Sequence, residues 1–307
     1  MKMKACIAAL LVMTALLSLT GCQNKGSVDS NGVPKTLMIA VVQTDNVPEI
    51  KAVRESVRDY LQKKLGIPVE MIFTTDYTGV IEALKANKVH MADMPPFAYV
   101  IATRTMKLTP IVTLGNNGQP STYQSVIISN GHGNIKSMDD VKARSKSLSL
   151  CFVDPASTSG HLIPRAYLNS IGLNPDTAFK QTIFAGSHLT SVLSVKSGKI
   201  DVGCTSSFVF KIMTEKKLIK DGDIRTLWTS DPIVSQPIVV RTDLNSAFVK
   251  RIQRAYLDMN TEHPEILKAY IKIFLKDTAK RTYVIAKDSY YDGLRKIASG
   301  IKDLKSN

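Results

Sequence analysis

Phe152-Val-Asp-Pro-Ala-Ser-Thr-Ser-Gly-His-Leu-Ile-Pro-Arg-Ala-Tyr-Leu168 reads as a strand end, a tight turn and then a helix. Leu148, Leu150 and Phe152 stand at alternate positions, the period of a strand, and run into the turn pair Asp154-Pro155. Beyond the turn, Leu162, Ala166 and Asn169 share one helical face, with Ile163 and Tyr167 beside it. Ser157, Thr158 and Ser159 crowd the start of that helix, next to Gly160. The first N–H groups of a helix have no partner inside it, and the helix dipole adds roughly half a positive charge there. A single Ser at such an end is an ordinary cap. Three hydroxyls and a glycine make a cradle for an anion. Pro164 has no N–H, so the helix either starts near Gly160 or bends in its first turn.

Upstream, Lys2 and Lys4 precede an apolar run, Ala5–Leu17, too short to span a bilayer permanently. Leu19-Thr20-Gly21-Cys22 follows and resembles a bacterial lipobox, in which the Cys is acylated and becomes the new N-terminus. Residues 1–21 are therefore expected to be a leader, and 22–35, with their Gly, Ser and Asn, a flexible lipidated tether. The chain is expected outside the cytoplasm, held to the membrane by lipid alone. Of four Cys, Cys151 and Cys204 stay in the fold, each near a strand end. Export permits a disulfide between them, and two buried thiols on neighbouring strands fit equally well.

The formal charge is +14. Forty basic residues less Lys2 and Lys4, against 26 acidic, leave +12 in the mature chain. The lysines are scattered among Asp and Glu, as in Lys211–Lys220, without aromatic-interleaved basic tracts. Solvated faces are expected rather than a nucleic-acid surface.

The mature length exceeds what one core usually serves, so two lobes are expected. Strands alternate with helices: strands at Thr36–Val42, Val69–Thr74, Val89–Ala92, Thr109–Leu114, Gln181–Phe184, Ile200–Cys204 and Ile224–Thr229, and helices at Pro48–Leu65, Gly79–Asn87, Pro96–Thr105, His188–Ser197 and Ser207–Lys216. Tyr123–Ser129 and Pro237–Arg241 are placed as the two crossings between lobes, and helices follow at Leu244–Met259, Pro264–Ile273 and Tyr290–Leu304. Alternation of this kind implies mainly parallel sheets, with ligands beyond the carboxyl ends of the strands. The residues found there are Thr75-Asp76-Tyr77-Thr78-Gly79, Asp93-Met94-Pro95-Pro96-Phe97-Ala98-Tyr99, Ser121-Thr122-Tyr123-Gln124-Ser125, Ala185-Gly186-Ser187-His188 and Thr205-Ser206-Ser207. None contains Lys or Arg. An anion in this cleft is expected to be held by backbone N–H groups, hydroxyls and His188, and such bonds to a charged acceptor are strong.

Enzyme signatures are absent: there is no Walker loop, no G-x-G-x-x-G, no H-E-x-x-H and no G-x-S-x-G elbow. The five histidines lack metal-ligand spacing. No cofactor is called for.

Asp154-Pro-Ala-Ser-Thr-Ser-Gly-His-Leu-Ile-Pro164, Pro96-Phe-Ala-Tyr99, the Asp76-Tyr77-x-Gly79-Val80-x-Glu82-Ala83-Leu84 segment and the Gly186-Ser187-His188 segment through Ile200-Asp201 resemble the phosphonate-binding (PhnD) family over nearly all of residues 36–300. The resemblance implies a type II periplasmic-binding-protein fold: two α/β lobes joined by a two-strand hinge, with lobe I over 36–128, lobe II over 129–235, and a return to lobe I over 236–307. It implies a monomeric substrate-binding component of an ABC importer, working with a permease and its ATPase on a small phosphorus oxyanion. Ser157, Thr158 and Ser159 would hold the phosphoryl oxygens, Tyr77, Tyr99 and Tyr123 would approach from lobe I and the hinge, and His188 would be a further contact. Aminoalkylphosphonate binders of this family place an acidic residue where this chain has Ser206. Its absence favours phosphite, methylphosphonate or phosphate over 2-aminoethylphosphonate, unless Asp76 or Asp231 substitutes. An exported sensor of the same fold, or a binder of a sulfonate or phosphorylated metabolite, fits the same residues.

Overall fold

The computed structural model describes residues 26–42, 48–274, 281–301 and 304. The leader, the lipobox and Cys22 lie outside them. In chain order the elements are β1 (Leu37–Val42), α1 (Pro48–Leu65), β2 (Val69–Thr74), α2 (Tyr77–Lys85), β3 (Met91–Asp93), α3 (Pro96–Ala102), β4 (Leu108–Asn116), β5 (Gln119–Pro120), β6 (Thr122–Tyr123), β7 (Ser125–Asn130), α4 (Met138–Arg144), β8 (Ser149–Phe152), α5 (Ile163–Ser170), β9 (Gln181–Phe184), α6 (His188–Lys196), β10 (Val202–Ser206), α7 (Ser207–Glu215), β11 (Ile224–Thr229), β12 (Ile233–Val234), β13 (Pro237–Arg241), α8 (Ser246–Glu262), α9 (Pro264–Phe274), β14 (Arg281–Ile285) and α10 (Asp292–Gly300).

These form two α/β lobes. The first sheet has the order β14-β4-β13-β3-β1-β2, with β5 on β4, and the second β11-β7-β10-β8-β9. The apolar run Leu-Met-Ile-Ala-Val-Val of β1 is continuous because both faces of its sheet are covered. Leu37, Ile39 and Val41 enter one core with α1 and α8, and Met38 and Ala40 enter another with α2 and α3. β8 divides likewise, Leu150 and Phe152 on one side and Cys151 on the other.

Both sheets are mixed, not mainly parallel. In each, three strands run parallel: β2, β1 and β3 in the first, and β9, β8 and β10 in the second. The strands nearest the crossings, β13 in the first sheet and β7 in the second, enter antiparallel because the chain arrives from the other lobe. The crossings themselves are the short antiparallel pair β6 and β12, Ile233 opposite Tyr123. Pro237–Arg241 is not the return crossing: it lies wholly inside the first sheet, between β3 and β4. Residues 281–285 are a strand where no element was expected. Their Arg-Thr-Tyr-Val-Ile sequence is β-branched and aromatic, and it completes the sheet against β4. The tether expected over 22–35 is also shorter than that span. Arg241 Nη1 donates to Gly26 O, Asn245 Nδ2 donates to Asn31 O, and Val28 and Val33 pack on the first lobe. Cys151 and Cys204 are free, buried thiols on adjacent strands, and burial pushes both thiol pKa values up.

Candidate functional site

The stretch 152–168 folds as a strand end, a turn and a widened helix start. Ser157 N–H donates to Asp154 O, closing the turn, and Val153 N–H donates to Gly160 O. Thr158–Leu162 is one π-helical turn, with Leu162 N–H reaching back to Ser157 O. α5 follows at Ile163 with Pro164 in its first turn, where a missing N–H costs nothing. The bend that Pro164 demanded is thus the π-turn. Gly160 is dictated by close approach: a Cβ there would stand 2.3 Å from Val153 Cγ2.

Behind the cradle His161 fixes this turn. Its ring is buried, Nδ1 lies 2.8 Å from Pro155 O, and Nε2 accepts from Arg165 Nε at 2.8 Å. Arg165 in turn holds Asp176 through both terminal nitrogens. Burial, with a smaller contribution from Arg165, lowers the His161 pKa to about 4, so the ring is neutral at neutral pH. Ser125 Oγ pins the turn from the other side by donating to Ser159 O at 2.7 Å.

Across the cleft the two lobes are in direct contact. Phe97 N–H, in the first turn of α3, donates to Thr158 Oγ1 at 2.9 Å. Pro95, at the cap position of α3, supplies no side-chain bond, so Thr158 caps that helix from the opposite lobe. The Asp154 carboxylate accepts from Ala156 N–H and from the backbone of Tyr77, while burial raises its pKa.

One cavity of about 470 Å³ lies between the lobes, at the carboxyl ends of the parallel strands. Five helix starts border it: Tyr77 of α2, Pro95 before α3, the π-turn at Ser157, His188 of α6 and Ser207 of α7. Their positive dipole ends favour an anion. The hydroxyls are poised as donors. Ser157 Oγ accepts from Gly160 N–H, Thr158 Oγ1 from Phe97 N–H and Ser206 Oγ from Val209 N–H. A hydroxyl has a single proton to give, and in each case the acceptor side is already engaged by backbone. Tyr123 lies within hydrogen-bonding reach of the Thr158 and Ser159 hydroxyls, and burial pushes its phenol up to about 12. It therefore stays a neutral donor. His188 is buried, with Nδ1 3.1 Å from Thr205 Oγ1.

Of the residues singled out from the sequence, Tyr77, Tyr123, Ser157, Thr158, Ser159, His188 and Ser206 all line this cavity. Tyr99 does not. It is buried in α3, its ring is edge-on to Tyr291, and its hydroxyl donates to Asp288, which Arg295 also holds. Of this region Pro95, at the cap of α3, lines the cleft, whereas the Tyr99 ring is turned to Tyr291 and to Arg295 of α10. Asp76 caps α2 through Gly79 N–H and, like Asp231, is not part of the lining.

The sequence reading missed the cationic lining: Lys51 and Arg54 of α1, Lys216 and Arg281. Arg54 Nη1 donates to Val42 O, and Arg54 lies 3.9 Å from Asp93, which also accepts from Gln236 Nε2. No strand-end motif carries these side chains. They belong to an amphipathic helix, a helix exit and an unforeseen strand, so nothing local marks them. Among the described residues no cluster of three or more His, Cys, Asp or Glu is placed to hold a metal.

The model of the family "ABC transporter, phosphonate, periplasmic substrate-binding protein" matches residues 39–283. The chain belongs to that family. It is an exported binding component of an ABC importer, not an enzyme. It is 29% identical over 307 residues to the phosphate-import protein PhnD of Mycolicibacterium smegmatis, covering 96% of this chain and 94% of that protein. It is 28% identical over 257 residues to the phosphonates-binding periplasmic protein of Escherichia coli, covering 83% and 75%. Among solved structures, PhnD1 of Prochlorococcus marinus in complex with methylphosphonate superposes with a TM-score of 0.73 at 21% identity, over 87% of this chain and 98% of that one. That likeness is one of fold.

Proposed function

We propose that the chain captures a small phosphorus oxyanion (phosphite, methylphosphonate or phosphate) between its lobes and releases it to a membrane permease driven by an ATPase. Ser157, Thr158 and Ser159 hold the phosphoryl oxygens, with Tyr77, Tyr123, His188 and Ser206 as further contacts. The observation that carries this reading is the set of hydroxyls at the helix starts: Ser157, Thr158 and Ser206 each accept from a backbone N–H, which orients each hydroxyl as a donor. The names of the relatives, phosphate import in one and phosphonate binding in another, support the same ligand class. The Thr158–Phe97 bond ties ligand contact to closure, because one hydroxyl serves both lobes. The protein acts as a monomer, tethered through lipid on Cys22. Among the described residues no helix is long and apolar enough to cross a membrane.

The test is a thermal-shift series with phosphite, methylphosphonate, phosphate, 2-aminoethylphosphonate and sulfate. A ligand at about a hundred times its Kd adds roughly 2.7 kcal/mol to stability, a rise of several degrees. Shifts with small phosphorus anions and none with sulfate are expected. No shift with any phosphorus anion overturns the reading.

A further inference from the structure

Residues 26–36 lie as a strap on the first lobe, at its end remote from the cleft. The parallel strands β1 and β3 carry Val42 and Asp93 to the cavity at their carboxyl ends. Their amino ends, with the turns that feed them, form the opposite pole of the lobe. Gly26 is buried there, and a Cβ on it would stand 1.7 Å from Asn87 O. Arg241 Nη1 donates to Gly26 O and to Val89 O. His90 Nδ1 accepts from Met38 N–H at 3.0 Å, so Nε2 carries the ring proton, and it faces Ser27 O at 3.4 Å. Val28 and Val33 pack on the core, and Asn245 donates to the carbonyls of Asn31 and Gly32.

In the sequence only Gln23, Asn24 and Lys25 separate Cys22 from Gly26. At about 3.3–3.6 Å per residue, that length of chain reaches at most about 14 Å. An acyl chain on Cys22 therefore holds this pole within two screening lengths of the headgroups, each about 8 Å at physiological salt. The turns of the pole, 26–36, 86–90, 103–107 and 242–245, are basic: Lys35, Lys88, Arg104 and Lys107 stand exposed in them. The acids of the same turns are engaged, Asp29 by the N–H groups of Asn31 and Val33, and Asp243 by Arg241. Lys63 and Lys85, in the last turns of α1 and α2, are ordinary complements of the helix dipoles. The four turn cations lie outside any helix, so the dipoles do not account for them.

We infer that this pole is a lipid-facing surface, which seats the first lobe on anionic phospholipid headgroups through Lys35, Lys88, Arg104 and Lys107. This rests on the lipid anchor at Cys22 read above and adds an orientation to it. A long flexible leash would leave the protein free to turn. Here the strap is docked and the leash is short, so the anchor and the basic turns act on the same face. Each cation near an anionic bilayer favours the seated orientation by about fivefold, the equivalent of about 1 kcal/mol. The six residues of β1, at about 3.3 Å each, place the cleft roughly 20 Å beyond the pole. That is more than two screening lengths, so an anion is captured clear of the repulsion of the headgroups.

Fluorescence quenching on vesicles tests it, with the full chain purified from membranes and the acyl group on Cys22 checked by mass. The vesicles are phosphatidylcholine, alone or with phosphatidylglycerol, and carry a quencher on their headgroups. A fluorophore is attached at Thr105→Cys on the pole or at Lys142→Cys on α4 of the second lobe, both exposed positions, while the buried Cys151 and Cys204 stay unlabelled. The expected result is quenching severalfold stronger at position 105 than at 142, larger with phosphatidylglycerol than without, and weakened by salt. Lys35→Glu, Lys88→Glu and Lys107→Glu together should bring the ratio of the two positions near one and leave the thermal midpoint unchanged. Equal quenching at the two positions in the parent chain, or a ratio that survives both the charge reversal and the loss of phosphatidylglycerol, overturns the surface and leaves the anchor standing. A mature chain with no acyl group on Cys22 overturns both.

Discussion

At the cradle end of the cleft, three consecutive residues, Ser157, Thr158 and Ser159, meet helix starts whose caps are local in sequence. At the far end, Ile50, Arg54, Phe208 and Arg281 come from three separate segments scattered along the chain. The first end is polar and built mostly by hydrogen bonds within a few residues, with Phe97 N–H and Ser125 Oγ joining it from afar. The second is apolar and cationic and exists only because α1, α7 and β14 are brought together. The two ends teach that a single cleft can be assembled in two ways, by neighbours along the chain at one end and by distant elements at the other.

Removing the cradle hydroxyls should have the largest effect. Ser157→Ala with Thr158→Ala should weaken binding of phosphite and methylphosphonate by several kcal/mol, since each hydrogen bond to a charged group contributes about 1.5–3 kcal/mol. Calorimetry reads it directly, and an unchanged Kd would break the contrast between the two ends.

His161 sharpens the comparison from behind the cradle. An ordinary histidine takes up its proton near 6.5, and the buried ring does so only near 4. Between those values the unfolded chain binds a proton that the folded chain refuses, so this group's contribution falls as pH drops through the window. The expected loss is roughly 3 kcal/mol by pH 4. Urea unfolding of the wild type and of His161→Gln at pH 7.5 and 4.5 should show the variant losing less across that interval. Parallel losses would mean His161 is not the group that titrates.

The pair Tyr123 and Tyr99 tests placement within one residue type. Tyr123→Phe should weaken the oxyanion by about 2 kcal/mol, the loss of one bond to a charged acceptor. Tyr99→Phe should leave affinity as it is and lower thermal stability by about 1 kcal/mol through the lost bond to Asp288. An affinity loss in the Tyr99 variant would put that ring back in the site.

Ser206→Asp should have the smallest effect. Asp caps a helix as well as Ser, so α7 should keep its start at Val209 N–H, and stability should barely change. The new carboxylate faces the cavity, and the preference for 2-aminoethylphosphonate relative to methylphosphonate should rise by about tenfold. An unchanged ratio would show that position 206 does not reach the substituent.

The sequence by itself determined the parts governed by neighbours along the chain. The alternation of strands and helices, the caps at Ser157, Ser187 and Ser206, the turn at Asp154-Pro155 and the bend forced by Pro164 are short-range matters of backbone hydrogen bonding, and the cradle is made of them. Tyr99 was misplaced because a motif gives a residue's position on a helix but not the element packed against it. Here α10 covers that face and Asp288 takes the hydroxyl. Only the tertiary structure decided the direction of the crossing strands, the strand at Arg281–Ile285 and the lining of Lys51, Arg54 and Arg281. In the sequence those charges look like any solvated helix or strand face. What gives them a role is the cleft closing over them, and closure depends on contacts such as Phe97 N–H to Thr158 Oγ1 that join residues far apart in the chain.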